Sequence, residues 1–109
     1  MAYTNRGGPP FARMLSVSTG GALGIAGDAA SVQAAGLPFQ FPSLTSWVRL
    51  VAATNVVKVY FNQTDYDADR AFLTVGTTLP VEMPAELGAV WARSLVGAAT
   101  LEVLGISKV

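Results

Sequence analysis

Apolar and polar positions alternate with a period of two along much of this chain, most clearly in SWVRLVAATNVVKVYFN at residues 46–62. In the second half of that stretch Val57, Val59 and Phe61 fall on one side, and Val56, Lys58, Tyr60 and Asn62 on the other. Such alternation in β-branched and aromatic residues is the pattern of a half-buried strand. In the first half Val48 and Leu50 oppose Trp47, Arg49 and Val51. Ala-Ala-Thr-Asn lies between them at 52–55, and Asn55 tolerates a left-handed backbone. The stretch is therefore expected to fold as a hairpin with a short loop. A helix over 47–53 is disfavoured, because the run is short and continues directly into β-branched residues.

The remaining segments read as further strands. RMLSVST at 13–19 places Leu15 and Val17 inward. A short glycine-containing strand is expected near 23–26, and a short helical segment at 29–35 that Gly36 and Pro38 stop. Phe39, Phe41 and Pro42 form an extended lead, since residues before proline avoid the helical region. Downstream, 63–70 reads as a polar loop and 71–75 as a short strand. In 79–83, Leu79, Val81 and Met83 share one face, and Pro80 marks an edge strand or a bulge. After a turn at 84–88, Val90 and Ala92 oppose Trp91 and Arg93; after another at 95–98, Leu101 and Val103 face away from Glu102 and Leu104. Six strands thus follow residue 46, at the spacing of a β-sandwich, with links short enough for antiparallel pairing. The expected fold is all-β: one antiparallel β-sandwich or jelly-roll-like domain over 13–109. Gly7, Gly8, Pro9 and Pro10 allow no regular element before it, so 1–12 is expected to be an extended arm.

Composition adds a constraint on the surface. Charged residues make up 13% of the 109 positions, about half the share usual in a soluble domain, while hydrophobic residues make up 51%. A domain of this size leaves much of its surface exposed, and so few charges cannot cover it. The uncovered apolar patches are expected to be contact sites. Seven basic and seven acidic residues give a formal net charge of zero, and the basic ones are scattered, which argues against a nucleic-acid partner. The uncharged run at 14–27 is too short for a membrane span, and glycine and prolines interrupt the one at 29–48. The N-terminal residues lack the apolar core of a signal peptide.

Little here points to catalysis. Histidine and cysteine are absent, so Ser-His and Cys-His nucleophile pairs cannot form, and neither can a disulfide. Gly20, Gly21, Gly24 and Gly27 resemble a phosphate-binding loop only superficially: no Gly-Lys-Ser/Thr follows, and Asp28 would sit near the phosphates. Asp65, Asp67 and Asp69 in TDYDADR have the spacing that opens a calcium loop. The sixth position is Arg70 rather than glycine and the twelfth is Gly76 rather than glutamate, so solvated carboxylates that cap amides or pair with Arg70 are the expected reading. No catalytic residue, metal or cofactor is assigned. Trp47, Tyr60, Tyr66 and Trp91 fit either a sugar-stacking platform or outer strand positions that meet a neighbour; the scarcity of charge favours the neighbour.

Residues 47–103 resemble a recurring type of small tailed-phage structural protein. The likeness is carried by WVRL at 47–50, VKVYFNQTDYDADRAFLTV at 57–75 and PAE at 84–86, and continues in VWARS at 90–94 and ATLEVLGI at 99–106. It covers about half the chain. Such proteins sit in virus particles as head decoration (cement) proteins or as head-tail and tail components. The resemblance implies a virion protein whose partners are copies of itself and major capsid or other virion proteins, without nucleic acid or membrane. Arg6, Pro9, Pro10, Phe11, Trp47, Tyr60 and Trp91 are then the candidate assembly interface. A carbohydrate- or receptor-binding module is the alternative.

Overall fold

The computed structural model describes residues 10–42, 45–84 and 88–107. The elements, in order, are β1 (Pro10–Val17), β2 (Leu23–Ile25), one 3-10 turn (Ala29–Ser31), β3 (Phe39–Gln40), β4 (Thr45–Ala52) and β5 (Val57–Tyr60). Then follow α1 (Gln63–Ala68), β6 (Leu73–Val75), β7 (Val81–Pro84), β8 (Ala89–Ser94) and β9 (Ala99–Ser107). They form a five-stranded sheet in the order β2-β1-β9-β4-β7 and a four-stranded sheet in the order β3-β8-β5-β6. All strand pairs are antiparallel. The fold is the expected all-β sandwich. No helix among the described residues is long and apolar enough to cross a membrane.

Alternation decides which residues meet between the sheets. Leu15 and Val17, Val48, Leu50 and Ala52, Val57 and Val59, Val90 and Ala92, and Leu101 and Val103 are all buried in one cluster. Every second residue of these strands turns to the core, as the period of a pleated strand requires. Val81 and Met83 pack against the cluster from β7, which lies at the sheet edge where Pro80 predicts it.

Three expectations are corrected. The stretch 46–62 is not a hairpin. β4 belongs to the five-stranded sheet and β5 to the four-stranded one. Both edges of β4 are taken, by β9 and β7, and both edges of β5, by β8 and β6. Residues 53–56 therefore carry the chain across the sandwich. Asn55 does not adopt a left-handed angle; among the described non-glycine residues only Asp69 and Ala71 do. Its side-chain amide instead donates to the Ala98 carbonyl at 2.7 Å and fixes the crossing.

Second, residues 63–70 are not a loop throughout, since Gln63–Ala68 form α1. Asn62 caps it: its side chain accepts from the Asp65 amide at 2.8 Å and donates to the Asp65 carboxylate at 2.9 Å. That reciprocal exchange satisfies a free donor of the first turn.

Third, the sandwich begins before residue 13. β1 starts at Pro10, so Pro10, Phe11 and Ala12 are strand rather than arm, paired in register with Ile106, Gly105 and Leu104. The Phe11 ring packs against the core in the space above Gly105, where any β-carbon would collide with it. The rest of the expected arm, with Arg6 and Pro9, lies outside the described residues, as does most of the turn expected at 84–88.

Replacing Gly105 with Val would force Phe11 out of its seat. The expected loss is about 2–3 kcal/mol, in the range of core overpacking, read as a lower denaturation midpoint. A variant that melts like the parent would show that Phe11 does not pack there.

Candidate functional site

The two outer faces of the sandwich differ in chemistry. On the four-stranded sheet, Lys58, Tyr60, Trp91 and Arg93 project outward as cross-strand neighbours, Lys58 opposite Arg93 and Tyr60 opposite Trp91. The capped helix α1 lies over them. Asp69 ends α1 in a left-handed conformation, a geometry aspartate tolerates better than most residues. Its carboxylate is thereby placed within reach of three groups. Lys58 Nζ donates to both oxygens at 2.9 and 3.1 Å, the Tyr60 hydroxyl donates to Oδ1, and Arg93 Nη1 lies 3.8 Å from Oδ1. Arg93 also stacks over the Tyr66 ring at 4.0 Å, and Lys58 lies 4.9 Å from the Phe72 ring centre.

Tyr66 ties this layer to the other sheet. It meets Tyr60 edge to face at 5.3 Å, and its hydroxyl donates to the Gly20 carbonyl at 3.0 Å. Gly21, at φ +89°, has no room for a side chain beside that hydroxyl. The Asp69 carboxyl is held below the usual carboxylate range, first by the Tyr60 hydroxyl and then by Lys58. Lys58 is raised, chiefly by its bond to Asp69, and Tyr60 is raised by burial and then by Asp69. Asp65 is likewise lowered, by Arg70 at 3.0 Å and by Asn62.

The outer face of the five-stranded sheet is drier. Across its strands the residues in register read Pro84, Trp47, Ile106 and Pro10 in one row. Glu82, Arg49, Leu104 and Ala12 form the next row, followed by Val51, Glu102 and Met14. Trp47, Ile106 and Met14 are 40%, 44% and 42% exposed, high values for large apolar side chains on a sheet. The Trp47 indole donates to Glu82 at 3.4 Å.

The candidate interface residues therefore separate. Trp47 is an exposed outer position, as expected. Tyr60 is not: it is fully buried beneath α1, because the helix covers the face to which alternation assigns it. Trp91 is half-buried on that same face and donates to the Gln63 side chain at 3.1 Å. Phe11 is half-buried against the core, and Pro10 opens β1. Trp47, Tyr60, Tyr66 and Trp91 do not share one platform: Trp47 lies on the opposite outer face from the other three, and both tyrosines are buried. The three aspartates do not converge either. Asp65 is engaged by Arg70, Asp67 by Gln63, and Asp69 by Lys58 and Tyr60.

A groove of about 210 Å³ between the edges of β2 and β3 is lined by Arg13, Leu15, Leu23, Ile25, Gln33 and Phe39. Comparison with family models, with characterised proteins and with solved structures finds no match.

The Asp69 cluster makes stability depend on pH. A carboxyl lowered on folding contributes stability that is present above its unfolded value, about 3.9, and is lost as pH falls through the folded value. Tyr60→Phe keeps the ring and removes one donor to Asp69. The expected loss is about 1–2 kcal/mol at neutral pH, shrinking below about pH 4 as the carboxyl protonates. Chemical denaturation of both proteins from pH 7 to pH 2.5 measures this; a difference that stays constant over that range would contradict the assignment.

Proposed function

We propose that this chain is a structural component of a bacteriophage virion, and within the particle a capsid decoration (cement) protein that stabilises contacts between subunits. The observation that carries the reading is the segregation of charge. Lys58, Asp65, Asp67, Asp69, Arg70 and Arg93 gather on and around α1, over one sheet. The opposite sheet presents Trp47, Ile106, Met14 and Leu104 outward, with Arg49, Glu82 and Glu102 among them. A domain with one densely charged face and one that exposes large apolar side chains among fewer charges is suited to lie against a larger surface, since burying a large aromatic anchor contributes most where water is excluded. The resemblance carried by residues 47–103 supplies the kind of surface. A neck or tail position satisfies the same chemistry and differs in copy number. A soluble glycan-binding module is less well supported, because its aromatics would need to share an open face.

Purified particles decide between these. Imaging at subunit resolution with copy counting is expected to find hundreds of copies on the shell; six, twelve or a few dozen would move the protein to the neck or tail. Trp47→Glu is expected to weaken particle binding at least tenfold while leaving the melting temperature within a few degrees, because the side chain is already 40% exposed. Absence from particles, together with glycan binding by the purified chain, would refute the proposal.

A further inference from the structure

The two sheets leave a gap along one side of the sandwich. Leu15 and Ile25 are register partners on β1 and β2, so their side chains share the core-facing side. Leu15 is 3% exposed, yet Ile25 is 49% exposed. β2 is the edge strand of its sheet and β3 the edge strand of the other. Between them lies the groove of about 210 Å³, with Leu15, Leu23, Ile25 and Phe39 as apolar walls. An apolar cavity of ~150 Å³ takes up benzene, so the space is sufficient for a body of about six carbons.

Arg13 breaks the pattern of this region. It shares a face of β1 with Leu15 and Val17 and sits opposite the buried Val103. It is exposed at the rim of the groove, where the exposed Gln33 adds an amide. None of the ion pairs among the described residues includes Arg13. Its guanidinium donates to the carbonyl of the adjacent Ala12 at 2.9 Å, which leaves most of its five donors for another acceptor.

The wall on the β2 side is fixed by its own chain. Ile25 N–H donates to Ser31 Oγ at 2.7 Å, and Gln33 N–H to the Leu23 carbonyl at 2.8 Å. The Ser31 hydroxyl donates to the Asp28 carbonyl at 2.7 Å, and Ala30 N–H to the Asp28 carboxylate at 3.1 Å. Residues 31–33 thus take up the free edge of β2, so an extended peptide cannot add there as a further strand. A wall set before binding loses little freedom when a small ligand enters.

We infer that this groove binds a small monocarboxylate with an apolar body. The body lies against Leu23, Ile25 and Phe39, and the carboxylate meets the Arg13 guanidinium. The planar fork of arginine matches a carboxylate with two parallel hydrogen bonds. The cation at the rim selects the sign of the head group, and the walls select an apolar tail over a small hydrophilic anion. The site is independent of the virion reading, which copy counting tests separately.

Titration of the isotopically labelled full chain, followed by amide chemical shifts, tests it. Hexanoate is expected to give saturable shifts at Leu15, Leu23, Ile25 and Phe39, with a Kd on the order of 1 mM. Acetate, which lacks the tail, and hexylammonium, which reverses the charge, are expected to bind roughly tenfold more weakly or worse. Arg13→Gln is expected to weaken hexanoate roughly tenfold while leaving the melting temperature and the weaker binding of 1-hexanol as in the parent. Ile25→Glu gives Arg13 a carboxylate within the chain and is expected to abolish hexanoate binding, with the remaining amide spectrum unchanged. The absence of saturable shifts by about 20 mM hexanoate would overturn the inference. So would equal affinity for hexylammonium, shifts that fall outside the groove, or Arg13→Gln binding hexanoate like the parent. Tighter binding of an acetylated, leucine-terminated tripeptide than of hexanoate would assign the groove to a protein terminus and overturn the small-molecule reading.

Discussion

Strand β9 pairs with β1 along eight residue positions on one side and with β4 on the other, and this double pairing joins the start of the described chain to its end. Ala99 sits opposite Val17 and Ile106 opposite Pro10, so the five-stranded sheet cannot form until residues some ninety positions apart have met. Contacts of such sequence separation make folding slow but cooperative. The register also fixes everything that faces outward. With Leu101 and Val103 committed to the core, Leu104 and Ile106 point away from it, and β1 and β4 bring Met14 and Trp47 beside them. A slip of one residue would exchange the two sets, placing Glu102 in the core. The dry outer face is thus a consequence of the same pairing that builds the core.

The opposite sheet resolves a different problem. Its outer face includes Tyr60, too large and apolar to leave in water, flanked by Lys58 and Arg93. α1 covers the tyrosine with Tyr66 and places Asp69 between the cations. The single carboxylate satisfies the tyrosine hydroxyl as well as the lysine, so a partly buried polar group is left with partners. Charge is concentrated around this one helix, while the opposite sheet sets Arg49, Glu82 and Glu102 among exposed apolar side chains.

Alternation made much of this architecture legible. In β5, β8 and β9 the residues assigned inward are buried, because a pleated strand leaves no other choice of face. What alternation cannot show is which strands pair. The link at 53–56 has the length of a hairpin loop, yet its flanking strands lie in different sheets, a choice set by competition from β9 and β7 for the edges of β4. Nor does it show what covers an outward residue: alternation places Tyr60 outward, and only the fold shows α1 above it. α1 was hidden by its six-residue length, although Asn62 followed by Asp65 carried the capping signal. The start of β1 is masked in the sequence by the two glycines and two prolines at 7–10, while the aromatic that fills the space over Gly105 is visible only once β9 lies beside it.

The proposed virion role requires that the exposed apolar side chains around Trp47 become covered in the assembled particle. Fluorescence of that residue tests it most directly. Trp91→Phe leaves Trp47 as the sole tryptophan, and acrylamide quenching can then be compared for the free chain and for purified particles that contain it. The account predicts efficient quenching and red-shifted emission in the free chain, with strong protection and a blue shift in the particle. Equal quenching in both states would show that the face stays in water, and would contradict the claim.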